Sequence, residues 1–422
     1  MTVTEIGSQP GAGSHSIDPV GPGQRWRLRY WSIFLGQALS LVGSALTQFV
    51  LMWWITEATG SVAELATAGL AALLPQALLG PIGGLFADRY SRRLLMIGAD
   101  AVSALCMAVL IVLFLSDRIE LWHIYAMLFI RSAMQAFQAP AALASTSLLV
   151  PRRFLARAAG LGQTLEGVMF VAAAPLGALA LSAMPIGWAL AIDVVTAVLG
   201  IVPLLVFTIP QPGEPRQAAS NLWTEFRDGV RAVAGNAGLR DLFLLQAAVV
   251  LVLMPSATLV PLLVTQHFGG GAAQVAVMEA LWGIGMLVGG LAVTAWAPRR
   301  HIRWILGGFA VSCFAFAASA AMPREFFTLA LAWWVLSGAT FVLGEAPLTA
   351  LLQTTVPHHL QGRVLSLMNT VIALAAPVGL AFATPLGEWM GIRGLFVATG
   401  IAGGLVSLAG FASGALRRLD RH

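Results

Sequence analysis

Runs of about 20 apolar residues recur along this chain, and no other feature of the sequence limits its fold so tightly. The hydrocarbon core of a bilayer is about 30 Å thick, so a helix needs roughly 20 mostly apolar residues to cross it. Apolar windows set against charged and turn-rich breaks predict twelve helical spans. Six lie near 31–56, 64–86, 94–115, 122–142, 159–182 and 188–208, and six near 239–265, 272–297, 303–321, 326–352, 364–387 and 393–415. With 58% of residues hydrophobic and 10% charged, the chain carries less than half the charge of an average soluble domain, which is about a quarter charged.

The charges that remain are ordered. Twenty of the 24 basic residues, all arginines, fall in alternate connections, from Arg25, Arg27 and Arg29 before the first span to Arg417, Arg418 and Arg421 after the last. The opposite connections hold only Arg118, Arg324 and Arg393. The positive-inside rule therefore places both termini in the cytoplasm. Residues 1–24 are polar and rich in Gly, Ser and Pro, without the apolar core and small-residue cleavage site of a signal peptide, and read as a disordered cytosolic tail. Cys106 and Cys313, the only cysteines, sit inside apolar runs, where a thiol acts as a small hydrophobe and neither a disulfide scaffold nor a zinc site is indicated. A net charge of +5 points to nucleic acid only when it forms a stripe on a soluble face. These arginines are scattered between membrane runs.

The chain also repeats itself at half length. At an offset of 206 or 207, Gly83-Gly84-Leu85 recurs as Gly289-Gly290-Leu291, Pro140 as Pro347, and Val150-Pro151 with Arg157 as Val356-Pro357 with Arg363. After Arg363 the register slips by about one helical turn, so that Ala174-Pro175-Leu176-Gly177 matches Ala376-Pro377-Val378-Gly379. Two parallel six-helix halves, 25–209 and 239–416, are expected, with a site at their interface near the midplane. The link at 210–238 carries Leu222, Phe226, Val230 and Val233 on one helical face opposite Glu225, Arg227, Asp228 and Arg231, the pattern of an amphipathic helix lying at the membrane surface. Residues 417–422 form a short cytosolic tail.

After the second span the sequence runs Gly84-Leu85-Phe86-Ala87-Asp88-Arg89-Tyr90-Ser91-Arg92-Arg93. This resembles the signature loop of the major facilitator superfamily, with Ser91 where the family has its second glycine. Pro261 to Gly271, Gln353 to Pro357 with Gln361-Gly362-Arg363, and the Ala-Pro-x-Gly of the fifth span resemble the macrolide-efflux branch of the drug:proton antiporters. The resemblance runs from about Trp31 to Gly414. It implies an all-α membrane protein of twelve helices in two pseudo-symmetric bundles, set in a bacterial inner membrane, that moves a small molecule by alternating access in exchange for protons. It implies a gating role for Gly84, Asp88, Arg89, Arg92 and Arg93, with Gly84 allowing close helix approach.

Ionisable residues at bilayer depth cost roughly 2.5 to 3.5 kcal/mol on insertion scales, which makes each a functional candidate. Arg131 shares a helix face with Gln135 and Gln138, and suits either an anionic group, proton coupling or a structural pairing with Asp100 or Glu166. Glu166 is the leading proton carrier, against a static bridge to Arg131. Glu345 shares a face with Trp334, Gly338 and Phe341, a setting for a lipophilic cation or for a hydrated helix end. Gln37, Ser40, Ser44 and Gln48 form a polar stripe on the first span, fit for cavity lining or interhelical bonding. Asp100, Asp193 and Glu279 stand as secondary candidates.

No phosphate loop, zinc spacing or nucleophile elbow occurs, so no cofactor is called for and neither an enzyme nor an ATP-driven pump is expected. The expected partners are a small-molecule substrate, protons and membrane lipid, with the chain acting as a monomer. Export of amphipathic, drug-like molecules is the first reading. Export of an endogenous metabolite or siderophore, an uncoupled facilitator, and a transport-dead membrane sensor stay open beside it.

Overall fold

The computed structural model describes residues 25–209, 222–296 and 301–419. The segment 1–24 and the start of the link lie outside the described residues. The first half is α1 (Trp26–Thr59), α2 (Val62–Arg89), α3 (Arg92–Leu115), α4 (Leu121–Leu149), α5 (Leu155–Ala183) and α6 (Ile186–Val206). The linking helix α7 (Leu222–Ala234) follows. The second half is α8 (Ala237–Thr258), the short α9 (Val260–Leu262), α10 (Ala272–Trp296), α11 (His301–Ala321), α12 (Phe327–Thr355), α13 (His358–Gly410) and α14 (Gly414–Leu419).

Among the described residues, ten helices are long and apolar enough to cross a membrane. α4 is not among them, because Arg131, Gln135 and Gln138 dilute its apolar windows, and α13 is long enough for two crossings. The six-plus-six arrangement expected from the apolar runs is the one observed, with one difference in detail. The break expected between the last two spans falls at Gly391 (φ 75°, ψ 163°), where two helices meet across a kink within α13, in a backbone region open to glycine. The seventh span, expected as one helix to 265, ends at Thr258 and continues through α9 into a π-helical turn, Leu263–Phe268. Pro261 lies within α9; proline brings no N–H to a preceding turn, so the helix restarts there.

Small residues set the packing, and the repeat is visible in it. A Cβ on Gly83 would fall 1.9 Å from the carbonyl oxygen of Ala136, and one on Gly289 2.2 Å from that of Ala339. α2 thus lies backbone-to-backbone on α4 as α10 does on α12. Apolar tails solvate helices as well as other helices do, so such close approach is what holds membrane helices together. The matching Ala-Pro-x-Gly segments behave alike, with Gly177 of α5 against Leu46 of α1 and Gly379 of α13 against Leu251 of α8.

The halves meet mainly along two helix pairs, α2 with α13 and α5 with α10. At the end away from the arginine-rich connections they are closed on each other. There Gln266 Nε2 donates to the Gly60 carbonyl at 2.6 Å, Val62 packs where Gly387 leaves room, and Gly69 admits Thr258 and Leu380. α7 rests on α13, Gly229 lying against the Arg363 backbone. Its Val233 is buried and Arg227 and Arg231 are exposed, but Val230, expected on the apolar face, is exposed as well.

Candidate functional site

A cavity in two chambers lies inside this frame. The first, of about 510 Å³, is walled by α1 to α6 alone and extends toward the arginine-rich end past Met96, Thr146, Leu149 and Tyr30. Among apolar walls it gathers most of the polar side chains at bilayer depth: Gln37, Ser44, Gln48, Asp100, Arg131, Gln135, Gln138, Glu166 and Asp193. The second chamber, of about 580 Å³, lies between the halves and is lined by α1, α5, α8, α10, α11 and α12. Apart from Glu166, Glu279, Gln48, Thr258 and two serines it is apolar, and Phe170, Trp282, Phe316, Trp334 and Phe341 dominate it. Leu41, Ala45, Gln48 and Glu166 line both chambers, so the two spaces adjoin along that wall.

The polar chamber is organised around two buried carboxylates. Asp100 accepts from Gln37 Nε2 at 3.1 Å and from Gln138 Nε2 at 2.5 Å, and Gln138 Nε2 also reaches Gln37 Oε1 at 3.1 Å. Gln37 touches the Gly200 carbonyl as well, so one polar node joins α1, α3, α4 and α6. Asp193 accepts from Ser44 Oγ at 3.0 Å, and Arg131 Nη2 donates to the Ser44 carbonyl at 2.6 Å. Ser44 thereby ties the arginine to Asp193, the countercharge that Arg131 feels. Arg131 Nη1 is buried with no hydrogen-bond partner. The expected pairing of Arg131 with Asp100 or Glu166 does not form, because α6 brings Asp193 to the guanidinium and the two glutamines already occupy Asp100.

Glu166 is exposed to the cavity on α5 and holds only Gln163, at 3.4 Å. The alternative of a static bridge to Arg131 is excluded by this arrangement. Gln48 and Gln135 line the space with side-chain amides that no protein group engages. Trp334, 3% exposed, stacks on Phe316 with centroids 5.1 Å apart, and Phe316 on Phe396 at 5.2 Å. The Trp334 Nε1 is buried without an acceptor. Across the chamber Trp282 reaches Phe341 at 5.9 Å and, from the other half, Phe170 at 5.4 Å.

Glu345 is separated from the rings whose face it shares. Trp334 and Phe341 line the aromatic chamber, whereas Glu345 lines neither chamber and accepts from Gln246 Nε2 of α8 at 2.9 Å. Helical spacing fixes a face but not a depth, and Glu345 lies roughly 6 Å farther along α12 than Phe341. The carboxylate that does sit among the rings is Glu279 of α10. Sequence reading passed over Trp282, Phe316 and Phe170 because aromatic residues in membrane helices ordinarily pack or anchor. Gln246 gave no signal at all, since its partner lies 99 residues away.

In the signature loop the close approach expected of Gly84 belongs to its neighbour. A Cβ on Gly84 would meet nothing within 4 Å, while Gly83 is the residue pressed on α4. Ser91, in place of the family glycine, caps α3 by accepting from the Leu94 N–H at 3.4 Å. Arg92 donates to the carbonyls of Ala87 and Ala144, and Arg93 to those of Leu204 and Leu205 at the end of α6. Cations at helix C-termini meet orphan carbonyls and the negative end of the dipole, so both arginines tie helix ends within the first half. Arg89 is exposed, and the side chain of Asp88 lies outside the described residues.

Two six-helix halves around a cavity that spans their interface define a multi-pass membrane transporter. The profile described as Major Facilitator Superfamily matches residues 33–380. The chain is 31% identical over 377 residues to Macrolide efflux protein A of Streptococcus pyogenes, covering 89% of this chain and 93% of that one. It is 24% identical over 395 residues to Multidrug efflux pump Tap of Mycolicibacterium fortuitum, covering 90% and 94%. Among solved structures, a bacterial homolog of the human lysosomal transporter Spinster, inward-facing and unoccupied, superposes with a TM-score of 0.72 at 15% identity, covering 94% of this chain and 98% of that one. The chain belongs to the major facilitator superfamily.

Proposed function

We propose that the protein exports amphipathic small molecules of the macrolide or lipophilic-drug kind across a bacterial inner membrane, exchanging them for protons. The observation that carries this reading is the pair of adjoining chambers, one holding the polar side chains of the first half and one aromatic between the halves, with Glu166 on the wall common to both. An amphipathic molecule matches that division, its apolar body against the rings and its polar edge toward Gln48, Gln135 and Arg131. With the arginine-rich end in the cytoplasm, the halves are closed at the outer end by Gln266 on Gly60, and the polar chamber leads inward. Substrate then enters from the cytoplasm or inner leaflet. Rocking of the halves about α2–α13 and α5–α10 carries it outward, and Glu166, free of any fixed cation, takes a proton from outside and gives it up inside. The names of the relatives, a macrolide efflux protein and a multidrug efflux pump, agree with this direction.

The test is made in cells. Cells producing the protein are expected to hold less of a fluorescent lipophilic cation than cells producing none, and an uncoupler is expected to abolish the difference. Equal retention, with the protein present in the membrane, for both a macrolide and a lipophilic cation would reject drug export.

A further inference from the structure

The intramembrane carboxylates of this chain are not equally served. Asp100 is held by two glutamines, Asp193 by Ser44, Glu345 by Gln246 and Glu166 by Gln163. Glu279, half-buried on the chamber wall, has no hydrogen bond or ion pair among the described residues, and a carboxylate drawn away from bulk water without a partner is costly. It also occupies the aromatic chamber, where no arginine, lysine or histidine lines the wall, Arg131 being confined to the polar chamber. Trp282 stands three residues on, over the same helix face, with Phe341 at 5.9 Å from its ring and Phe170 at 5.4 Å. Opposite, on α12, the Trp334 indole presents a buried N–H that nothing accepts. A group that satisfied this chamber would bring a positive charge for the carboxylate, draw on the negative faces of the rings, and offer an acceptor to the indole. A bare proton meets only the first need.

We infer that Glu279 anchors the protonated amine of an amphipathic substrate, whose apolar body lies against Trp282, Phe316, Trp334 and Phe341. This rests on the export reading and adds the charge of the substrate and the residue that selects it. An anionic group placed in this chamber would meet two carboxylates and no cation on its wall.

The test uses full-length protein in lipid nanodiscs and two probes that differ only in charge, a naphthylalkyl dimethylammonium and its isopropyl isostere, which replaces N–H⁺ by C–H. Wild-type protein is expected to prefer the ammonium. Glu279→Gln is expected to weaken ammonium binding by about tenfold or more, which is about 1.4 kcal/mol, and to change binding of the isostere by less than about twofold. A variant that keeps the wild-type ratio, or loses both probes in parallel, overturns the assignment. A second measurement needs no variant: an apolar carbodiimide labels buried carboxyl groups in wild-type protein, and the modified peptide is read by mass spectrometry. Protection of Glu279 by the ammonium but not by the isostere supports the inference, and equal protection by both, or protection at Glu166 alone, contradicts it. Flux is scored separately, so absent transport with an intact charge preference at Glu279 rejects export and leaves the anchor standing.

Discussion

Arg131 is held by the Ser44 carbonyl alone, and that leaves one of its buried nitrogens with nothing to bond. A guanidinium carries five donors in a rigid fork, so one nitrogen fixes the side chain to α1 while the other remains for substrate or water in the polar chamber. Ser44 works in both directions, accepting from the arginine through its backbone and donating to Asp193 through its hydroxyl. Removing the guanidinium therefore loosens α1, α4 and α6 together. Arg131→Gln is expected to fold and to lower transport per molecule by about tenfold or more, since a hydrogen bond to a charged group contributes roughly 1.5 to 3 kcal/mol. Arg131→Lys is not expected to restore it, because a compact ammonium cannot bridge the carbonyl and the chamber as the fork does. Flux in proteoliposomes, normalised to protein that runs as a single species on gel filtration, checks both. Wild-type flux in Arg131→Gln would remove the residue from the mechanism.

Among the helices, the glycines carry the most specific consequence. The signature loop drew attention to Gly84, yet the space around it is open, and Gly83 is the residue whose missing side chain lets α2 lie on α4. Gly83→Ala would place a methyl 1.9 Å from a backbone carbonyl, where no side chain can turn aside. It is expected to cost about 1 to 3 kcal/mol as overpacking and to lower the thermal unfolding temperature in detergent. Gly84→Ala is expected to stay within about 0.5 kcal/mol of wild type. The reverse order would mean that the two helices pack in another register. This element also shows what the sequence could and could not convey. Apolar run length and the half-length repeat foretold the spans and their division into two halves, because these depend on the composition along each segment. Which of two adjacent glycines faces a neighbour depends on the rotation of α2 about its axis, which a motif does not encode. The same limit explains Glu345 and Glu279. Each sits on a helix with aromatic neighbours in sequence, but Gln246 from α8 meets one, while Phe170 from the opposite half helps enclose the other. Arg131, Asp193 and Ser44 were each visible as polar residues at bilayer depth, but their grouping needed α6 to cross α1 where Gly43 presses on Thr196.

For the whole molecule, the two halves repeat their packing and differ in their chemistry. Gly83 and Gly289, and Gly177 and Gly379, hold equivalent helix pairs. The first half gathers its polar groups on one chamber, whereas in the second half Gln246 and Glu345 pair away from both chambers. A symmetric frame with polar groups on one side and rings at the interface fits rocking of the halves around a site for which we propose Glu166 as the proton group and Glu279 as the substrate group, one from each half. The central claim is that a proton gradient drives the substrate through this interface, and flux in purified form tests it most directly. Protein is reconstituted in liposomes with an imposed pH gradient, and a tertiary-amine macrolide is followed into the compartment that corresponds to the outside of the cell. Accumulation above equilibrium that disappears with an uncoupler, and that Glu166→Gln abolishes while the compound still equilibrates, is the result this account predicts. Accumulation that Glu166→Gln leaves unchanged, or transport that only equilibrates the compound in the wild type, would contradict it.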